Sequence, residues 1–167
     1  MGLPQVAYNI LGSTSDAEDA VQEMYLRWYR LSAAERSEIA VGIAWKRTVL
    51  TRLCFDKLKS VRRKREVYVG EWLPEPIPGH GVLHDPSRSW QATDPADQLE
   101  LSQTVSMALL VVLEKMTPAE RVSFVLHDVF QYSFNEIAEI IERTPHACRQ
   151  LAFSARKRLS REDALET

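Results

Sequence analysis

Residues 66–97, EVYVGEWLPEPIPGHGVLHDPSRSWQATDPAD, hold five of the chain's eight prolines and three of its six glycines. Proline removes backbone donors and fixes φ, and glycine frees it, so no regular helix can run through such a stretch. It is also too long for a turn inside one bundle and reads as a linker. The chain therefore divides into a first module at 1–65, the linker, a second module at 98–160 and a tail at 161–167. With 167 residues and 45% apolar content it can bury one moderate core or two small ones. No strand alternation runs through either module, and the short VYVG has no partner. The expected fold class is all-α, two small helical modules with no internal repeat.

In the first module a partial helix is expected over about Pro4–Leu11. The stretch STSDAEDAVQEMYLRWYRL follows. Ala17, Ala20, Val21, Met24, Trp28 and Leu31 recur in steps of three and four, which gives a helix over Asp16–Leu31 with one side buried. Ser15 and Glu18 form a capping-box pattern that marks its start. Its other side carries carboxylates at helical spacing, an acidic face in search of a partner. SAAERSE reads as a polar break. A long helix then runs from about Trp45 to Arg65, with Val49, Leu50, Leu53, Cys54, Leu58 and Val61 as its buried stripe.

The second module is punctuated by caps. Leu99 to about Met116 is a first helix. Thr117-Pro118-Ala119-Glu120 supplies an N-cap, a proline at the first helical position and an N3 glutamate, opening a helix to Phe130. Ser133-Phe134-Asn135-Glu136 opens a short helix over Ile137, Ala138, Ile140 and Ile141. ERT turns the chain, and Thr144-Pro145 opens a last helix to Leu159. A short helix, a tight turn and a longer basic helix make a helix-turn-helix pattern.

Net charge is only −2, but it is unevenly spread. Lys46 to Arg65 holds nine Lys/Arg against the single acid Asp56, and Arg143 to Arg161 holds six with no acid. Phosphate contacts are local, so two such islands on separate helices point to nucleic acid, although either alone would read as a solvated face. On the last helix, Ala147, Cys148, Leu151, Ala152, Ala155 and Leu159 form a narrow inner stripe. His146, Arg149, Gln150, Phe153 and Lys157 face outward, with Arg156 and Arg158 on the flanks. Arg and Gln near a helix N-terminus suit guanine and adenine edges in a major groove. On the long helix, Trp45, Lys46, Arg47, Arg52, Lys59, Arg62 and Arg63 set positive charge beside aromatics, which suits unpaired bases. Trp45 serves equally well as core.

Other classes fare worse. His80, His84 and Asp85 lie in a Pro/Gly segment without a cysteine nearby, so no metal or other cofactor is expected. His127-Asp128 is expected to be a solvated pair on a scaffold helix. There is no Gly-rich phosphate loop and no nucleophile motif, so no enzyme is expected. No run approaches the roughly 20 apolar residues of a membrane span. No export signal opens the sequence, and Cys54 and Cys148 on apolar stretches suit reduced thiols in a cytoplasmic protein.

These residues resemble a family. LGSTSDAEDAVQEMYLRWYRL and VLTRLCFDKLKSVRRKREVYVGEWLPEP are similar to region 2 of bacterial extracytoplasmic-function (ECF) sigma factors. LEKMTPAERVSFVLHDVFQYSFNEIAEIIERTPHACRQLAFSARKRL is similar to their region 4. The resemblance implies that Asp16, Asp19, Gln22 and Glu23 dock on the β′ clamp helices of core RNA polymerase, with the β flap as a further contact. It implies that the loop before Trp45 and the basic helix after it meet the opened −10 element of promoter DNA. The helix at Pro145–Leu159 would read the −35 duplex, with Lys157 and Arg158 on phosphates. An anti-sigma factor is the remaining partner class. YVGEWLPEP and CRQLAFSARKRL narrow the resemblance to the SigJ-like subgroup, here expected to lack the C-terminal SnoaL-like domain. The first helix is shorter than the family's, and Lys46 stands where relatives tend to carry an apolar residue. A stand-alone helix-turn-helix regulator and a degenerate sigma-like polymerase-binding protein are the two alternatives.

Overall fold

The computed structural model describes residues 2–67 and 107–165, and every regular element among them is a helix. The VYVG segment beyond Val67, the His80, His84 and Asp85 cluster, and the beginning of the helix expected from Leu99 lie outside the described residues. In chain order the elements are α1 (Leu3–Leu11), α2 (Thr14–Arg30), α3 (Ala33–Glu38), α4 (Gly42–Val67), α5 (Met107–Leu113), α6 (Pro118–Phe124), α7 (Phe134–Ile141) and α8 (Pro145–Leu165). A π-turn, Val125–Val129, continues α6.

The α1–α2 corner explains where α2 begins. Gly12 ends α1 in the left-handed region (φ 70°) with its N–H on the Tyr8 carbonyl at 2.7 Å, a conformation only glycine adopts without strain. Ser13 follows at once as N-cap, its Oγ accepting from the Asp16 N–H at 3.3 Å. The Ser15–Glu18 cap expected from sequence is thus displaced two residues upstream. Glycine has already reversed the chain, and Ser15 falls inside the first turn. SAAERSE is not a break either. Ser32 and Glu35 form a reciprocal capping box (2.7 and 3.1 Å) that opens the short helix α3. That helix buries no residue, which is why no apolar stripe announced it.

In the second body the capping boxes form where the spacing put them, Thr117 with Glu120 and Ser133 with Glu136. The helix from Pro118 does not run to Phe130 as a plain α-helix. From Val125 it widens, and Phe130 N–H reaches the Val125 carbonyl, five residues back, at 3.2 Å. The turn between α7 and α8 places Glu142 in the left-handed region (φ 55°), and the Thr144 hydroxyl caps α8 on the Ala147 N–H at 3.1 Å.

The two bodies share one continuous core. Ile10, Met24, Leu50 and Cys54 of the first and Leu113, Val122, Leu126 and Ile137 of the second belong to the same buried cluster. α4 lies against α6 and α7, and α1 against the π-turn. Polar contacts cross the same seam. Arg52 Nη2 donates to the Glu139 carbonyl at 2.9 Å. Arg65 of α4 and Arg121 of α6 converge on the Glu114 carboxylate, one on each oxygen. Arg121 is only 2% exposed, and burial pulls its guanidinium down from the usual range while Glu114 opposes that.

Candidate nucleic-acid interface

The acidic face of α2 is the first surface. Asp19 and Gln22 are exposed, and Asp16 and Glu23 are half-buried. These carboxylates are not bare. Lys57, reaching over from α4, sets its Nζ 3.5 Å from Asp16 and 3.4 Å from Asp19, and Arg27 pairs with Glu23 at 2.9 Å. Sequence reasoning gave Lys57 no role. The signal was its place beside Cys54, Leu58 and Val61, at the edge of the stripe that packs on α2.

The second surface is aromatic and cationic. Trp45 is half-buried against Trp28, with ring centroids 5.3 Å apart, and the pair stands outside the buried core cluster. Lys46 Nζ lies 4.6 Å from the Trp28 ring and 5.4 Å from Tyr25. Tyr25 stacks on Tyr29 at 6.3 Å, and Tyr29 is 68% exposed. These tyrosines, four residues apart and off the buried stripe, were legible as a helix face but were not singled out. Arg47 is exposed, and its charge acts on Tyr132 of the second body.

The rest of the basic helix is elsewhere. α4 has 26 residues, about 39 Å at 1.5 Å per residue, so Arg62 and Arg63 stand about 25 Å from Trp45. The seven candidate residues of α4 do not form one cluster. Arg52 is turned to the seam. Lys59 pairs with Asp56 at 3.2 Å and lies over Phe55. Arg62 lines a cavity of about 550 Å³ at the seam, together with Asp16, Arg65, Glu114, Lys115 and Arg121.

The third surface is α8. Cys148, Ala152 and Ala155 are completely buried, and small side chains let α8 lie close on α6 and α7. His146, Arg149, Gln150, Phe153 and Lys157 are all exposed, Phe153 at 64%. The flanking arginines are anchors. Arg156 grips Asp128 with two bonds (2.6 and 2.7 Å), which hold its guanidinium above the usual range. Arg158 lies 3.5 Å from Glu120, which also accepts from the Ser154 hydroxyl at 3.0 Å. Burial pushes Glu120 up, but the Thr117 N–H, Ser154 and Arg158 outweigh it and leave the carboxyl below its usual range. Arg158 is therefore partly committed to Glu120, and Lys157 is the outward cation next to it.

His127 and Asp128 are not the solvated pair expected from sequence. Asp128 holds Arg156, and His127 stacks on Phe134 with Nδ1 2.8 Å from the Tyr132 carbonyl. Both residues lie in the π-turn, from which His127 reaches Phe134 of α7 and Asp128 reaches Arg156 of α8. Among the described residues no group of three or more His, Cys, Asp or Glu could hold a metal, and no helix is long and apolar enough to cross a membrane.

Residues 3–64 match the sigma-70 region 2 model, and residues 106–159 match that of sigma-70 region 4. The chain is 42% identical over 163 residues to the ECF RNA polymerase sigma factor SigJ of Mycobacterium tuberculosis, covering 98% of this chain and 48% of that one. It is 37% identical over 158 residues to the probable ECF sigma factor SigI of the same organism, covering 95% and 50%. The crystal structure of SigJ aligns with a TM-score of 0.66 at 40% identity, over 95% of this chain and 49% of that one. The chain thus spans about half the length of the curated relatives it matches.

Proposed function

Since the chain belongs to the extracytoplasmic-function branch of the sigma-70 family, with region 2 at 3–64 and region 4 at 106–159, we propose that it binds core RNA polymerase and directs promoter recognition and transcription initiation in the cytoplasm. The observation that carries this reading is α8, which presents Arg149, Gln150 and Lys157 outward while Arg156 and Arg158 fasten the helix along its flanks.

Each surface then has a task. Asp16, Asp19, Gln22 and Glu23 meet basic groups of the β′ clamp helices, where complementary charge orients the encounter. Tyr25, Tyr29, Trp45, Lys46 and Arg47 offer rings and cations to the unpaired bases of the −10 element. α8 enters the major groove at −35, where Arg149 suits guanine and Gln150 adenine. Arg52 on the Glu139 carbonyl and Arg65 on Glu114 hold the two bodies together, so the free chain binds promoter duplex poorly and engages both elements only once polymerase separates them.

Run-off transcription with purified core enzyme, beside gel shifts with and without core at physiological salt, is the test. Promoter-specific transcripts and core-dependent binding are expected. Tight, sequence-specific binding without core would replace the reading with a stand-alone regulator. Core binding without transcripts would replace it with a protein that occupies polymerase without directing it.

A further inference from the structure

Arg149 is set apart from Arg156 and Arg158 of the same helix. Arg156 and Arg158 have carboxylate partners, whereas among the described residues no carboxylate pairs with Arg149. What it meets is an aromatic ring: its Cζ lies over Phe134, 5.5 Å from the centroid. Phe134 is the first residue of α7, fixed in place by the capping box at Ser133. The Phe134 ring is itself stacked on His127, with centroids 4.0 Å apart and 20° between planes. His127 Nδ1, 2.8 Å from the Tyr132 carbonyl, donates its proton there, which fixes the tautomer and the ring orientation. His127 lies in the π-turn. A helix advances about 100° per residue, so the inserted residue of a π-turn decides which side chain faces α7.

We infer that Phe134 is a positioning residue for Arg149, held for that task by His127 and the π-turn. This rests on the reading of α8 as the −35 helix and deepens it. An unpaired arginine on a helix surface samples many rotamers and must give them up on binding a base. A guanidinium lying over a ring keeps its N–H edge for an acceptor while its freedom is already reduced. The recognised group is a purine edge with two adjacent acceptors, which in DNA is guanine O6 and N7. Phe134 touches no base in this scheme. It makes one base pair count for more.

The test uses holoenzyme and a promoter library randomised across the upstream element, with Phe134→Leu, Phe134→Tyr, Arg149→Ala and the Phe134→Leu/Arg149→Ala pair. Phe134→Leu should weaken preference by about two- to fivefold, the strength of an exposed cation–π contact. The loss should fall at the base pair that Arg149→Ala relaxes and leave other positions unchanged. Phe134→Tyr keeps the ring and should retain the preference. The double variant should match Arg149→Ala at that position. In the free chain, the NMR order parameter of the Arg149 Nε–H should fall in Phe134→Leu, a readout that needs no DNA. His127→Leu, which leaves Phe134 in place, should lower the same order parameter if Phe134→Leu proves too unstable to measure. Uniform loss on every promoter, additivity with Arg149→Ala, or an unchanged order parameter would overturn the inference. If Arg149→Ala relaxed no base pair while the order parameter still fell in Phe134→Leu, the −35 reading would fail and the stack would be structural only.

Discussion

The two bodies place their acidic residues differently, although both carry a basic helix. In the first, acids and bases meet on the surface: Lys57 with Asp16 and Asp19, Arg27 with Glu23, Lys59 with Asp56. In the second, Glu120 and Asp128 are tucked behind α8, their side chains 8% and 23% exposed, and hold Arg158 and Arg156. Exposed pairs are worth about 0–1 kcal/mol each and exchange partners readily. Anchors under a helix fix its position and leave the outer residues clear. The first body carries a surface that can be rearranged by a partner, and the second carries one that is set before a partner arrives.

The largest blow to this comparison falls on the buried stripe of α4. Leu50 is fully buried on α4, and Leu50→Ala should cost about 2–5 kcal/mol. Each body carries one buried cysteine, Cys54 and Cys148, as its own reporter. Burial pushes the Cys54 thiol up to about 12 and raises Cys148 as well, so native labelling by a thiol reagent reports opening. Protection of Cys54 should drop by the whole cost and that of Cys148 by less. Equal loss at both would mean that the two bodies open as one unit.

Next comes the exchangeable surface. Asp19→Lys with Glu23→Lys should lower core-polymerase binding well over tenfold. Thermal stability should fall by only about 1 kcal/mol, because both positions lie off the apolar stripe and the pairs with Lys57 and Arg27 that turn repulsive are at the surface. Normal core binding by that variant would remove the assignment of the α2 face.

On the pre-set surface the effects are local. Arg149→Ala should cost about 1–3 kcal/mol in promoter binding and relax one or two base pairs, while Lys157→Ala weakens all sequences alike and flattens the salt dependence. Identical profiles for the two variants would erase the distinction between reading and phosphate attraction. The smallest effect is a gain. Glu142 occupies the left-handed position after α7, where glycine is at ease, so Glu142→Gly should raise the melting free energy by about 0.5–1 kcal/mol.

Legibility also differs between the bodies. Thr117–Glu120 and Ser133–Glu136 were readable because a capping box is local and each one precedes an apolar run. The same signal misled at Ser15, where the left-handed Gly12 had already moved the start, and was passed over at Ser32, where α3 buries nothing. The outward residues of α8 followed from helical spacing alone. The π-turn did not, because no local pattern separates it from an α-helix, and with it went the roles of His127, Asp128 and Phe134. The seam was invisible for another reason. Arg52 finds Glu139 87 residues away, and no periodicity announces a partner at that distance.

Lys57 has one more consequence. With its ammonium between Asp16 and Asp19, α2 offers a docking partner a face that already holds a cation. Association there is an ion exchange between two protein ammonium or guanidinium groups rather than the capture of a bare charge. Fewer small ions are set free than the number of acids suggests, so affinity for core polymerase should vary less steeply with salt than a face of isolated carboxylates would. The displaced Lys57 then leaves an unpaired positive charge on α4, the helix proposed to meet promoter DNA.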